Sequence, residues 1–260
     1  MHLKTEGLVL RQTNYQDHDL LLTVLTKDYG RMTLRARGVK GKRSKLKSGC
    51  QLLAYAEFTI FENRGFCTVQ EAAPLELFLP LRSDLELLSL ASYFAQVAEV
   101  LSQEDMPNPE LLSMTLNSIY ALCHLGKPQQ QVKAVFELQA ACLAGYLPDV
   151  SGCGVCGCQD AGFFCVRQGM LRCKSCLRPG DGLCLPVSAG TLAALRYICQ
   201  ADPRRAFGFQ ASDAVLRQLS GLAETYLTVQ LEHSFSTLDF YHSICWNRPE
   251  RAPAQKPAHT

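Results

Sequence analysis

The chain has 260 residues, 47% of them hydrophobic, and its 26 basic and 24 acidic side chains leave a net charge of +2. That apolar share is ordinary for a globular protein and allows a sizeable core, in one large domain or two to three small ones. No apolar run is long enough to cross a bilayer, and residues 1–11 lack the basic start, apolar stretch and small-residue cleavage site of a signal peptide, so a cytoplasmic protein without a membrane partner is expected.

The first seventy-odd residues read as short strands. Gly7-Leu8-Val9-Leu10 opens the first, and residues 20–26 form an apolar, partly β-branched second. Lys27-Asp28-Tyr29-Gly30 is turn chemistry. Residues 31–37 then alternate, with Met32, Leu34 and Ala36 on one face and Arg31, Thr33, Arg35 and Arg37 on the other. This is a half-buried strand with a cationic outer face. Residues 54–61 and 66–72 pair around the turn Glu62-Asn63-Arg64-Gly65. Five short antiparallel strands suit a small closed barrel, and the OB-fold is the common five-stranded choice.

From about residue 81 the period turns helical. Leu87, Leu90, Ala91, Phe94, Val97, Ala98 and Leu101 share one stripe. Asn108-Pro109-Glu110 starts a second helix, which Gly126 ends. A third runs from about 128 to 145. Residues 151–185 are rich in Gly and Cys and have little apolar material for a core of their own. Helical periodicity resumes at Ser188, and a longer helix spans about 212–233. The expected architecture is α+β and multidomain: an OB-fold barrel over 1–78, a helical domain over 79–150 and 186–246 interrupted by a cysteine module at 151–185, and a polar disordered tail over 247–260.

Thirteen cysteines cannot all pair, and a cytosolic setting keeps thiols reduced. Cys123, Cys142, Cys199 and Cys245 sit in apolar helical patterns and read as small buried hydrophobes. Cys153-Gly-Val-Cys156 and Cys173-Lys-Ser-Cys176 are different: two C-x-x-C knuckles separated by sixteen residues, the spacing of a tetrahedral four-cysteine zinc site. Four sulfurs leave no open coordination position, so one structural zinc is expected, supplying much of the module's folding free energy. Cys158, Cys165 and Cys184 lie near enough to compete as ligands. The alternative is a thioredoxin-like redox pair, but that motif belongs in a βαβ pattern, which is absent here.

Residues 1–50 hold eleven bases against four acids, whereas residues 71–150 hold ten acids against three bases. The density peaks at Arg31, Arg35, Arg37, Lys40, Lys42, Arg43, Lys45 and Lys47, without one acid between them. A solvated surface kept for solubility would serve as well with mixed signs. Uncompensated cations cost self-repulsion and point to an anionic partner. Gly38, Gly41, Ser44 and Ser48 make the second half read as a flexible loop. The pattern suits phosphate backbone, bound without sequence preference, with Tyr15, Tyr29, Phe58, Phe61 and Phe66 as stacking candidates. Walker A, G-x-G-x-x-G, G-x-S-x-G and H-E-x-x-H sequences are missing and the six histidines are scattered, so no catalytic residue is assigned and a non-enzyme is expected. A zinc-containing RNA-binding module and a thiol redox enzyme using Cys153 and Cys156 are the competing readings.

The stretch Thr26-Lys-Asp-Tyr-Gly30-Arg31, then Leu34-Arg35-Ala36-Arg37-Gly38-Val-Lys40-Gly-Lys42-Arg43-Ser44-Lys45, resembles the N-terminal segment of RecO proteins. That family has an N-terminal OB-fold, a helical domain and, in many members, an inserted zinc module, whose ligands Cys153, Cys156, Cys173 and Cys176 match. The resemblance implies a DNA repair and recombination mediator. Such a protein binds single- and double-stranded DNA, anneals complementary strands and works with RecR to load RecA onto DNA coated by single-strand-binding protein (SSB). It also implies capture of the acidic SSB tail by the helical domain, for which Arg82, Lys127 and Lys133 are the cations before the cysteine module.

Overall fold

A computed structural model describes residues 1–203 and 205–246; the tail expected at 247–260 lies outside the described residues. Five strands, β1 (His2–Tyr15), β2 (Asp19–Thr26), β3 (Arg31–Ala36), β4 (Tyr55–Asn63) and β5 (Phe66–Glu76), close into a barrel in the order β1-β2-β3-β5-β4. Every pairing is antiparallel except β3 with β5, which run parallel through Leu34↔Cys67 and Arg35↔Thr68. The alternation of β3 holds: Leu34 and Ala36 are buried inside while Thr33 faces out. Val9, Leu22, Val24, Phe58 and Ile60 fill the same interior.

Gly7-Leu8-Val9-Leu10 does not alternate because both of its faces are covered. Val9 points into the barrel, whereas Leu8 and Leu10 join the core of the helices. The barrel and the helical part therefore share one continuous apolar contact. Gly30 seals it at another point. Its φ of +67° is left-handed, and a Cβ there would lie 2.6 Å from the carbonyl oxygens of Gln103 and Met106. Gly30→Ala is expected to cost about 1–3 kcal/mol from backbone strain alone, with the displaced 103–106 segment adding to it. A urea midpoint equal to wild type would refute this.

The helices are α1 (Leu85–Leu101), α2 (Pro109–His124), α3 (Gln129–Leu143), α4 (Ala189–Gln200), α5 (Asp213–Leu231) and α6 (Ser236–Trp246). Their starts follow the capping rules. Asp84 accepts from the Glu86 and Leu87 amides, Asn108 from Leu111, Ser188 from Thr191 and Ser212 from Val215. Helix α3 is buried almost all round, packed between α2 and α5, with Phe94 and Phe136 stacked at 4.1 Å between ring centres. The short helix α6 spans eleven residues and follows the left-handed Glu232 that ends α5. It is held by burial of Phe235, Leu238 and Tyr241 and by Gln96 of α1, which accepts from the Thr237 hydroxyl.

Between α3 and α4, four short strands form a second sheet in the order β6-β8-β7-β9: β6 (Asp149–Cys153), β7 (Phe163–Cys165), β8 (Met170–Arg172) and β9 (Cys184–Pro186). The segment is less short of core than its composition suggests. Phe164, Val166 and Leu171 are fully buried in the helical core, and Phe164 meets the Tyr226 ring of α5 edge-on. One expectation is corrected here. Cys165 and Cys184, opposed across β7 and β9, are joined as a disulfide, so not every thiol is reduced. Strand pairing, invisible in the cysteine spacing, brings them together.

Candidate metal centre and nucleic-acid interface

The first knuckle forms where β6 ends and the second follows β8. Gly157, at φ +71°, lets the first turn back so that its amide donates to the Cys153 carbonyl. The sulfurs of Cys153, Cys156, Cys173 and Cys176 all lie within 4.8 Å of one another. Zn–S bonds of about 2.3 Å in a tetrahedron place sulfurs about 3.8 Å apart, and the Cys156 and Cys173 sulfurs are 3.8 Å apart. The donor set therefore fits a closed tetrahedral metal site. Backbone amides of Cys156, Cys173 and Val155 hold the Cys153 thiol down at about 6, in favour of the thiolate a metal needs. The Ser175 hydroxyl lowers Cys173. Hydrogen bonds from the Cys176 thiol to Cys156 and Cys173 push it up to about 12. Of the three competing cysteines, Cys165 and Cys184 are bonded to each other, and Cys158 donates to the Asp160 carbonyl at 3.5 Å.

The eight cations divide into two sets. Arg31 and Arg35 are turned inward. Arg31 Nη1 donates to the Glu99 carbonyl at 3.1 Å, and its Nη2 lies 3.8 Å from Glu104. Arg35 grips Asp19 at 2.7 Å, donates to Gln16 and covers the Tyr15 ring at 4.9 Å. Asp19 in turn accepts the Gly38 amide at 2.8 Å. That amide, then Arg35, holds the Asp19 carboxyl below its usual value. Asp19 thus ties the end of β3 and the start of the next connection to β2. Its signal in the sequence was weak, because a lone acid before a strand reads as turn chemistry.

Arg37, Lys40, Lys42, Arg43, Lys45 and Lys47 are exposed, and none of them forms a salt bridge among the described residues. The connection that carries them is not a loose loop. It is a run of hydrogen-bonded turns anchored by buried Val39, Cys50, Leu53 and Ala54, with Gly49 packed against Ala72 of β5. Six cations therefore project from an ordered edge of the barrel. Among the aromatics, Phe58 is core and Tyr29 half-buried, while Tyr15, Phe61 and Phe66 are exposed, Phe66 by 78%.

The helical cations fare differently. Lys133 is buried on α3, 2.8 Å from Glu137 and 2.7 Å from Glu224 of α5, and His242 of α6 lies 3.0 Å from Glu224. Tyr93 of α1 donates to Glu137 at 2.9 Å. Lys133 is thus unavailable to any external acid, contrary to the expectation that it meets an SSB tail. Arg82 donates to the Leu52 carbonyl at 2.7 Å.

An OB-like closed barrel, a bundle of helices and an inserted four-cysteine cluster that could hold a metal ion define an α+β barrel-and-helix protein. The family described as "Recombination protein O N terminal" matches residues 1–78, and "Recombination protein O C terminal" matches residues 82–239. The DNA repair protein RecO of Acetivibrio thermocellus is 32% identical over 245 residues, covering 94% of this chain and 97% of that protein. Those of Alkaliphilus metalliredigens and Bacillus pumilus are 26% and 30% identical over 247 and 206 residues, covering 94% and 79% of this chain and 100% and 80% of theirs. The chain belongs to the RecO family of DNA repair proteins. No helix among the described residues is long and apolar enough to cross a membrane.

Proposed function

We propose that the chain is a non-catalytic recombination mediator that binds single- and double-stranded DNA through the barrel edge at Arg37, Lys40, Lys42, Arg43, Lys45 and Lys47. The observation that carries this reading is that these six cations are exposed on a hydrogen-bonded connection and form no salt bridge among the described residues. Cations held on a rigid edge neutralise the phosphates of two strands together, lowering their repulsion so that base pairing drives annealing without ATP. Arg31 and Arg35 support the edge and do not contact DNA. RecR, RecA and the SSB tail are the partners that membership of the family suggests.

The test is a fluorescence titration against single-stranded DNA at several salt concentrations, then annealing of complementary strands coated by SSB. Binding should weaken linearly in log Kd against log salt, and annealing should exceed that of naked mixing. Protein that ignores DNA at 20 mM salt, or that anneals only RNA, sinks the proposal.

We propose further that Cys153, Cys156, Cys173 and Cys176 hold one structural Zn2+. Elemental analysis should find one zinc per chain, and Cys173→Ser should lower that content and the melting temperature while leaving the barrel's DNA contacts intact. Full zinc retention in Cys173→Ser would remove this cysteine from the ligand set.

A further inference from the structure

The return path from the second knuckle to α4 is thinly anchored. Cys173 is buried, but no residue from Lys174 to Gly190 is. This stretch carries Cys176, the last of the four clustered sulfurs, and the three residues of β9. Leu185 and Val187 are only half-buried. Beyond the β7–β9 ladder, the Val187 amide donates to the Gly162 carbonyl at 2.8 Å and the Val166 amide to the Leu183 carbonyl at 2.9 Å. The Gln168 side chain donates to the Asp181 carbonyl at 3.0 Å, and Arg172 Nε lies 3.8 Å from the Asp181 carboxylate. The covalent tie is the Cys165–Cys184 disulfide, whose partners are opposed across β7 and β9 and lie 19 residues apart in sequence. It closes a loop that contains both Cys173 and Cys176. Its two halves differ in access. Cys165 is fully buried, whereas Cys184 is half-exposed and Leu183 beside it is 52% exposed. A crosslink restricts the loosened states of the loop it closes, and that restriction ends when the bond opens.

We propose that Cys165–Cys184 is a thiol-exchange site, opened by a dithiol, whose opening loosens the hold of the four-cysteine cluster on its metal. This rests on the reading that the cluster holds zinc. In the first step a thiolate of the dithiol attacks the accessible Cys184 sulfur. A new S–S bond forms there and the Cys165–Cys184 bond breaks. Cys165 leaves with the electron pair and takes up the proton that the attacking thiol gave up. In the second step the other thiol of the dithiol attacks the reductant's own sulfur in the mixed disulfide. The reductant closes as a disulfide and Cys184 leaves as a thiol. The protein gains two electrons and two protons, and the dithiol loses them. The path from Cys176 to α4 then keeps only its hydrogen bonds and the half-buried Leu185 and Val187. Cys176 is less firmly placed against the other three sulfurs, so the oxidised chain retains zinc and the reduced chain gives it up faster.

Full-length protein is loaded with zinc, and its zinc content is measured first. One portion of the loaded chain is treated with dithiothreitol, freed of it under nitrogen and restored to the same zinc content. Both portions are alkylated and mapped as peptides by mass spectrometry without reduction, and their zinc release to a chromogenic chelator is timed. The expected result is a linked Cys165–Cys184 peptide in the untreated chain, alkylated Cys165 and Cys184 in the treated one, and zinc release about tenfold faster after treatment. Cys184→Ser, which cannot form the link, should release zinc at the fast rate without any treatment. A chain that binds no zinc fails at the first measurement and overturns the metal reading together with this one. A chain that binds zinc overturns this proposal alone if the link is missing at the outset, if it survives dithiothreitol, or if opening it leaves the release rate unchanged. The two forms of the wild-type chain decide these points, so a variant that folds poorly does not leave the matter open.

Discussion

Replacing Arg37, Lys42, Arg43 and Lys45 together by alanine is expected to remove most of the affinity for single-stranded DNA while the fold survives. Each phosphate contact to a single strand contributes about 0.7 to the slope of log affinity against log salt. Four lost contacts reduce that slope by about 3, which at 0.1 M salt corresponds to binding weaker by several hundred-fold. The fold should persist because all four side chains are exposed and no salt bridge among the described residues uses them. Arg35→Ala is the informative contrast. Its guanidinium is engaged by Asp19, Gln16 and the Tyr15 ring. That variant should lower the melting temperature and leave the salt slope as it was. If the quadruple variant keeps the wild-type slope, the DNA-binding surface lies elsewhere on the molecule.

The second large effect concerns Lys133. Its ammonium is surrounded by Glu137 and Glu224 with almost no solvent contact. Lys133→Met keeps the length of the side chain but leaves buried Glu137 without its cation and Glu224 with His242 alone. Breaking a buried pair in this way costs about 3–5 kcal/mol, readable as a shift of the urea midpoint. The penalty should depend on pH. Burial pushes the Glu137 carboxyl up to about 7 even beside Lys133, partly offset by the lysine and by the Tyr93 hydroxyl. A carboxyl whose folded value is raised binds its proton more tightly in the folded chain. Its stabilisation is complete below the unfolded value of about 4.5 and is lost as pH rises through about 7. Glu224 acts in the opposite sense. Although burial alone would raise it, Lys133 and His242 hold it below its usual value, so its contribution is lost as pH falls. Without the lysine, protonation is the remaining way to neutralise Glu137. The variant should therefore lie closer to wild type at pH 5 than at pH 8. A penalty that is small and independent of pH would mean that the triad contributes little.

Much of this architecture is legible in the residues. The alternation of Met32, Leu34 and Ala36 fixes the inward face of β3, and the spacing of the two C-x-x-C knuckles anticipates the convergence of their sulfurs. What escapes is whatever depends on partners far along the chain. The Arg31 side chain reads as solvent-facing until Glu99, 68 residues later, is seen to accept its hydrogen bond. Lys133 reads as a helix-surface cation until α5 brings Glu224 against it. The Cys165–Cys184 link depends on the pairing of β7 with β9, two strands of three residues each, too short for any periodicity to register. Likewise, the glycines and serines after Arg37 suggest looseness, but Val39, Cys50 and Leu53 convert that segment into a fixed shelf.

The pairing of β3 with β5 brings the sheet round to meet itself. A sheet with no open margin offers no row of unpaired amides on which a foreign strand could grow. Protein neighbours of this half of the molecule must therefore be held by side chains and not by shared backbone ladders. Substitutions on its exterior can then retune recognition without disturbing the scaffold underneath.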